Sequence, residues 1–176
     1  MDLGKLRCSK PKVPQRSEEY GQILPVIETR PLFVLQALLD PPHINAPTPM
    51  GVRKAVPVIG GTFVGDRLRG TIAPYGGHDW ALTRNDGALV LDVRLTLITD
   101  DGEAILMSYY GIRTGSPDAL VRLARGEAVD SSELYFRTTP RFETASEKYG
   151  WLNSIICVGM GERPPEGPRY HVYEVL

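Results

Sequence analysis

The sequence predicts a mainly β protein, a single antiparallel β-barrel of eight or nine strands with one short helix. Three observations carry that expectation. The 176 residues include 18 glycines and 15 prolines, which interrupt the chain too often for a helical bundle. The apolar segments are short, and several are separated by Asp-Gly turns suited to hairpins. Several segments carry apolar groups on both faces, and closing a sheet on itself removes the exposed edges that so many strands would otherwise leave.

Residues 1–22 are polar, mixed in charge and contain Pro11 and Pro14, so they read as a flexible arm ahead of a domain spanning 23–176. The run ILPVIETRPLFVLQALL, residues 23–39, reads as the first strand, with Pro31 tolerated at an edge or bulge. Residues 40–51 form a proline-rich loop at a rim. Strand candidates follow at 52–59 and 67–73. WALTR and ALVLDVRL are joined by Asn85-Asp86-Gly87, and ALVLDVRL and the next strand by Asp100-Asp101-Gly102.

SPDALVRLARG predicts the helix. Ser116 caps the first turn, Pro117 fits its first position, Asp118 complements the dipole and Gly126 ends it. Leu120, Leu123 and Ala124 share a face directed at the sheet. A helical turn in SEKYGW, the strand SIICVGM and the last strand RYHVYEVL complete the chain.

With 20 Lys and Arg against 21 Asp and Glu, no basic excess suggests a nucleic-acid partner. No apolar run is long enough to cross a bilayer and the opening residues lack a secretory core, so no membrane association and a cytoplasmic location are expected. Cys8 and Cys157 read as ordinary thiols. His43, His78 and His171 have no metal-ligand spacing, the glycines at 60, 61, 65 and 70 match no phosphate-binding loop, and Ser108, Ser154 and Cys157 lack the surroundings of a nucleophile. No metal or cofactor is called for.

In residues 89–98, Leu89, Leu91, Val93, Leu95 and Leu97 share one face, and Val90, Asp92, Arg94, Thr96 and Ile98 the other. Either the leucines are core and the mixed face is wet, or the mixed face lines a cavity. The next strand carries apolar groups on both faces, which favours the second alternative and places Asp92 and Arg94 in a partly polar interior. Arg94, Arg113, Arg137, Tyr110 and Tyr135 could then converge on a small anionic or phenolic molecule.

The peptide Tyr75-Gly76-Gly77-His78-Asp79-Trp80 adds two proton carriers and a stacking wall. In extended chain, His78 and Asp79 point to opposite faces unless the backbone turns there.

The ordered blocks Gly51-Val52-Arg53, Pro57 to Phe63, Leu68-Arg69-Gly70, Gly77 to Trp80, Asn85-Asp86-Gly87, Leu91 to Arg94, Tyr135 to Thr138, Phe142-Glu143 and Trp151-Leu152-Asn153 resemble the DUF3237 family, also called UPF0311. The resemblance covers about residues 28–176. It implies a small antiparallel barrel, often a homo-oligomer, and puts the family's polar and aromatic blocks on Asp79, Trp80, Asp92, Arg94, Tyr135, Arg137 and Trp151. His78 stands where related chains often have alanine or another small residue.

The resulting expectation is a cofactor-independent isomerase, cyclase or lyase that moves a proton on an oxygenated aromatic or polyketide-like compound. Its catalytic candidates are His78, Asp79, Arg94, Tyr110, Tyr135 and Arg137; its substrate-binding candidates are Trp80, Asp92, Arg113 and Trp151. The alternative is a noncatalytic barrel that binds a small molecule, or a structural interaction domain. Apolar groups on both faces of several strands predict a homodimer.

Overall fold

Which face of residues 89–99 turns inward is decided by their neighbours. In the computed structural model, which describes residues 26–176, Val93 pairs with Tyr109, Leu95 with Met107 and Leu97 with Ile105, and all six side chains are buried in one core. The leucine face is therefore the interior. Asp92 and Arg94 point outward, contrary to the expectation of a partly polar lining. An apolar barrel centre would strip water from a guanidinium without offering it a partner, at a cost of several kcal/mol.

Ten strands form the sheet: β1 (Thr29–Leu39), β2 (Ile44–Thr48), β3 (Gly51–Val64), β4 (Arg69–Asp79), β5 (Leu82–Thr83), β6 (Leu89–Thr99), β7 (Ala104–Gly115), β8 (Leu134–Glu143), β9 (Cys157–Glu162) and β10 (Arg169–Val175). Eight of them run β1-β10-β9-β8-β7-β6-β4-β3, all antiparallel, and the β1–β3 pairing closes the barrel. The short β2 and β5 are extra outer strands, so the proline-rich rim folds back as a hairpin on β3. The predicted turns hold, with Gly87 at φ +84° and Gly102 at φ +89°. Pro31 lies at a β-bulge against β10, where the missing N–H costs no ladder bond.

The helix α1 (Pro117–Ala124) begins as expected, with Ser116 Oγ accepting from the Ala119 amide at 3.1 Å. Ala119 is its fully buried residue, while Leu120 packs beside Gly87 and Gly115. The predicted turn near SEKYGW is a 3₁₀ turn at Gly150–Ser154.

One end of the barrel is plugged. Phe33 packs against Phe63 and Phe142 at ring distances of 5.5 and 5.8 Å, and Leu68 and Leu152 are buried in the same cluster. The Asp101 carboxylate accepts from Thr99, Lys148 and Tyr149, tying the β6–β7 turn to the chain ahead of the 3₁₀ turn. The Lys148 and Thr99 hydrogen bonds hold that carboxyl well below the usual range. Cys157 is buried and has no disulfide partner among the described residues, and burial pushes its thiol up to about 12; Cys8 and the whole of the expected arm lie outside the described residues.

Two bulges control what reaches the other end. On β3 the pairing shifts between Val58 and Gly61, and on β4 between Ile72 and Gly77, where Tyr75 takes φ 51°. Ile72 pairs with Leu97 and Gly77 with Leu95, so five residues of β4 span two of β6. An odd step reverses the alternation. Without it His78 would continue the inward set of Ile72; with it Asp79 does.

The inward strand positions of β9 include Gly161, where a Cβ would lie 2.5 Å from the Phe136 ring. We expect Gly161→Ala to lower stability by about 1–3 kcal/mol through overpacking. Gly150→Ala, which has open space around its Cβ position, should change it by less than ~1 kcal/mol. Urea denaturation midpoints of the two variants check this.

Candidate functional site at the barrel mouth

At the end opposite the phenylalanine plug, the barrel interior becomes polar. Asp79, the last residue of β4, pairs with Val93 and so faces inward, and its Oδ1 accepts the Asp92 amide at 3.3 Å. Burial raises its carboxyl to about 7; the Asp92 amide and Arg113 oppose that rise, and the Asp92 charge adds to it.

Arg113 sits near the end of β7, paired with Leu89 and Phe136, with its guanidinium carbon 5.8 Å from the centre of the Phe136 ring. Burial lowers its pKa, with Arg163 acting in the same sense and Tyr170 and Asp79 acting against it. Its buried Nε finds no hydrogen-bond acceptor among the described residues.

Two tyrosines complete the group. Tyr109 precedes Gly111 and Arg113 on the inward face of β7, and Tyr170 is the second residue of β10. Their rings lie 5.3 Å apart, and burial raises both phenols. Phe136 meets Tyr170 edge-on at 5.4 Å. Beyond β9, Arg163 lines a cavity of about 150 Å³ with Leu123 and Gly126, which brings α1 to the same rim.

This arrangement can bind and ionise. A carboxyl near neutrality can give or take a proton, and a guanidinium N–H without an acceptor can receive an oxyanion. Titratable groups shifted by burial and mutual charge, gathered at one end of a barrel, mark a functional-site candidate. Among the described residues, no three His, Cys, Asp or Glu side chains group as metal ligands, and no helix is long and apolar enough to cross a membrane.

Of the residues nominated from sequence, Asp79 and Arg113 meet at this mouth. His78 faces outward, stacked on Trp80 at a ring distance of 5.5 Å, tilted against His43 at 5.8 Å, and paired with Arg94. Trp80 is on the outside too, where its carbonyl accepts from Arg53 at 2.7 Å. Asp92 and Arg94 share that outer face.

Tyr110 and Tyr135, 61% and 55% exposed, and Arg137 border a depression of about 500 Å³ on the outer wall; the Arg137 guanidinium lies 5.1 Å from the Tyr135 ring centre. Trp151 lies at the plugged end under Arg67, 4.0 Å from its ring centre. The expected convergence of Arg94, Arg137 and Tyr135 inside one pocket therefore does not occur, because each occupies the outward parity of its strand.

Tyr109, Tyr170 and Arg163 were missed. Once the leucine face of β6 is taken as interior, the Asp100-Asp101-Gly102 hairpin carries the same parity to Tyr109 and Arg113. Arg163 and Tyr170 carry no comparable local signal.

The family model described as "Protein of unknown function (DUF3237)" matches residues 27–175. UPF0311 protein RPA1785 of Rhodopseudomonas palustris is 34% identical over 152 residues, which make up 86% of this chain and 99% of that one. Its crystal structure covers 88% of this chain and 100% of its own with a TM-score of 0.81. A crystal structure of a protein from Clostridium acetobutylicum is 33% identical, covers 86% of this chain and 100% of that one, and gives a TM-score of 0.76. A β-barrel-like protein from Acinetobacter baumannii is 36% identical over 86% of this chain and 98% of that one, with a TM-score of 0.74.

The Asp79 carboxyl gives the fold a pH signature. Because its folded pKa is about 7 against 3.8 unfolded, the native state holds the proton more tightly, so this contribution is full below pH 3.8 and is lost as pH rises to 7. The loss amounts to at most about 4 kcal/mol. Asp79→Asn, which keeps an oxygen for the Asp92 amide, should remove that slope and be more stable than the parent at pH 8. Chemical denaturation of both proteins from pH 4 to 8 measures it.

Proposed function

The chain belongs to the DUF3237 family, and from that premise we propose that it is a small-molecule-binding barrel whose ligand enters at the Asp79–Arg113 mouth. The observation that carries this reading is the buried Arg113 guanidinium with an Nε lacking an acceptor, electrostatically coupled to Asp79. A ligand oxygen with negative charge would satisfy that nitrogen, and the Tyr109, Tyr170 and Phe136 rings favour an oxygenated aromatic body beside it. A neutral Asp79 would donate to the same ligand, and an ionised one would accept from it.

A second reading, proton transfer at carbon, is favoured by the position of the Asp79 carboxyl near neutrality. In it the Asp79 carboxylate removes a proton next to a carbonyl, Arg113 stabilises the enolate oxygen, and protonated Asp79 returns the proton to another carbon of the same molecule. The balance closes on substrate and protein alone. This is the isomerase branch of the chemistry expected from the sequence, with Asp79 as the proton carrier out of the two expected, His78 and Asp79, and Arg113 in the role expected of Arg94 or Arg137.

A screen of oxygenated aromatic acids and enols tests both readings by calorimetry and by deuterium exchange at carbon. Binding should weaken about 10- to 100-fold in Arg113→Gln, from loss of a charged hydrogen bond. Affinity unchanged by that substitution would sink the mouth assignment. Exchange in the parent that vanishes in Asp79→Asn while binding persists would establish the catalytic reading; binding without exchange in the parent leaves a carrier.

A further inference from the structure

The outer wall of the barrel carries a second constellation unconnected with the mouth. The cross-strand register places Ile112, Arg137, Met160 and His171 in one row across β7, β8, β9 and β10, all on the outward face. Strands lie about 4.8 Å apart, so Arg137 and His171 stand roughly 10 Å from each other along this row.

Two depressions share Arg137 as a common wall. One, about 450 Å³, is bordered by the polar groups Ser131, Glu162, His171 and Tyr173. The other, about 500 Å³, is mainly apolar and is bordered by Tyr110, Ile112, Tyr135 and Val158.

The charges in this groove are not balanced. The Glu162 carboxylate is engaged on both oxygens, by His171 Nε2 at 3.1 Å and by Arg169 at 3.9 Å. Arg137 donates to the Phe136 carbonyl at 2.9 Å and forms no ion pair among the described residues. A guanidinium with donors to spare thus stands at the junction of an apolar trough and a polar one, held beside Tyr135 by its ring.

We infer that this outer groove is a second binding site, for an amphipathic organic anion whose carboxylate pairs with Arg137 and whose ring or chain lies over Tyr110, Tyr135 and Val158. Charge complementarity selects the anion, and the apolar trough selects a body of at least aromatic size. His171, oriented by Glu162, borders the polar side and limits how far the anionic end extends. The inference goes beyond the mouth reading and uses none of its residues.

Calorimetric titration of the full chain with 2-naphthoate, and with neutral 2-naphthalenemethanol, tests it. The expected result, measured in the Arg113→Gln background so that the mouth contributes nothing, is saturable 1:1 binding of naphthoate, at least tenfold tighter than the alcohol. That affinity should fall at least tenfold when Arg137→Gln or Val158→Asp is added, and stay within twofold when Arg69→Gln, at an exposed arginine that starts β4, is added. Circular dichroism confirms that each variant is folded.

Equal affinity for acid and alcohol would overturn the inference, as would binding that does not saturate. Loss of naphthoate binding in Arg113→Gln but not in Arg137→Gln would overturn it while supporting the mouth. Sedimentation velocity covers the remaining occupant: a homodimer abolished by Val158→Asp and indifferent to naphthoate would make the groove a seam between copies and overturn the ligand assignment.

Discussion

A strand can send only every second side chain into a barrel, and closure forces eight strands to agree on which ones. In this protein the interruption that shapes the mouth lies in a matched pair of strands, where the bulges of β3 and β4 reverse the alternation. The carboxyl at the mouth depends on that reversal. The leucines of β6 and the inward face of β7, Tyr109 and Arg113 included, follow an unbroken period of two. Asp79 joins them because Tyr75, at φ 51°, lets five residues cover the distance of two. The backbone strain at that non-glycine residue is of order 1–2 kcal/mol, and its consequence is a carboxyl rather than an imidazole inside the barrel.

Burial then does the electrostatic work. The Asp92 amide and the Arg113 charge both favour an ionised Asp79, yet loss of water outweighs them and holds the carboxyl near 7. Arg113 suffers the same loss of water and is left with a nitrogen that nothing in the described protein satisfies. The fold therefore gives up stability at neutral pH to keep two incompletely compensated groups together. Such an arrangement is unusual in a barrel interior lined mostly by apolar side chains, and it is the physical basis for proposing a ligand site at this end.

The outer wall obeys the opposite economy. Tyr110 and Tyr135 are exposed and Arg137 and His171 half-buried, so pairing costs little there, and specificity rests on shape and charge pattern. Tyr110, Tyr135 and Arg137 were grouped by the sequence because they fall on neighbouring strands at compatible spacing. They do converge, on the outside. The reasoning that grouped them was sound about adjacency and wrong about side, since adjacency is a property of hairpins and side is a property of the closed barrel.

The sequence by itself determined the strand segments around the Asx-Gly turns, the helix with its Ser116 cap and Pro117 start, the restriction of Pro31 to an edge or a bulge, and the antiparallel barrel. All of these follow from interactions within a few residues or from alternation along one strand. Asp79 and Arg113 were legible as candidates because a carboxylate beside two glycines and an arginine ending a strand are local features. Only the tertiary structure decided that the leucine face is interior, that the Ile72–Gly77 step exchanges His78 for Asp79, and that Tyr170 and Arg163 reach the same mouth from the far end of the chain. The reason is that burial, and with it the pKa and the partners of each charged group, is set by neighbours on other strands, from Asp92 and Arg113 to Tyr170, enclosed together only when β1 pairs with both β10 and β3.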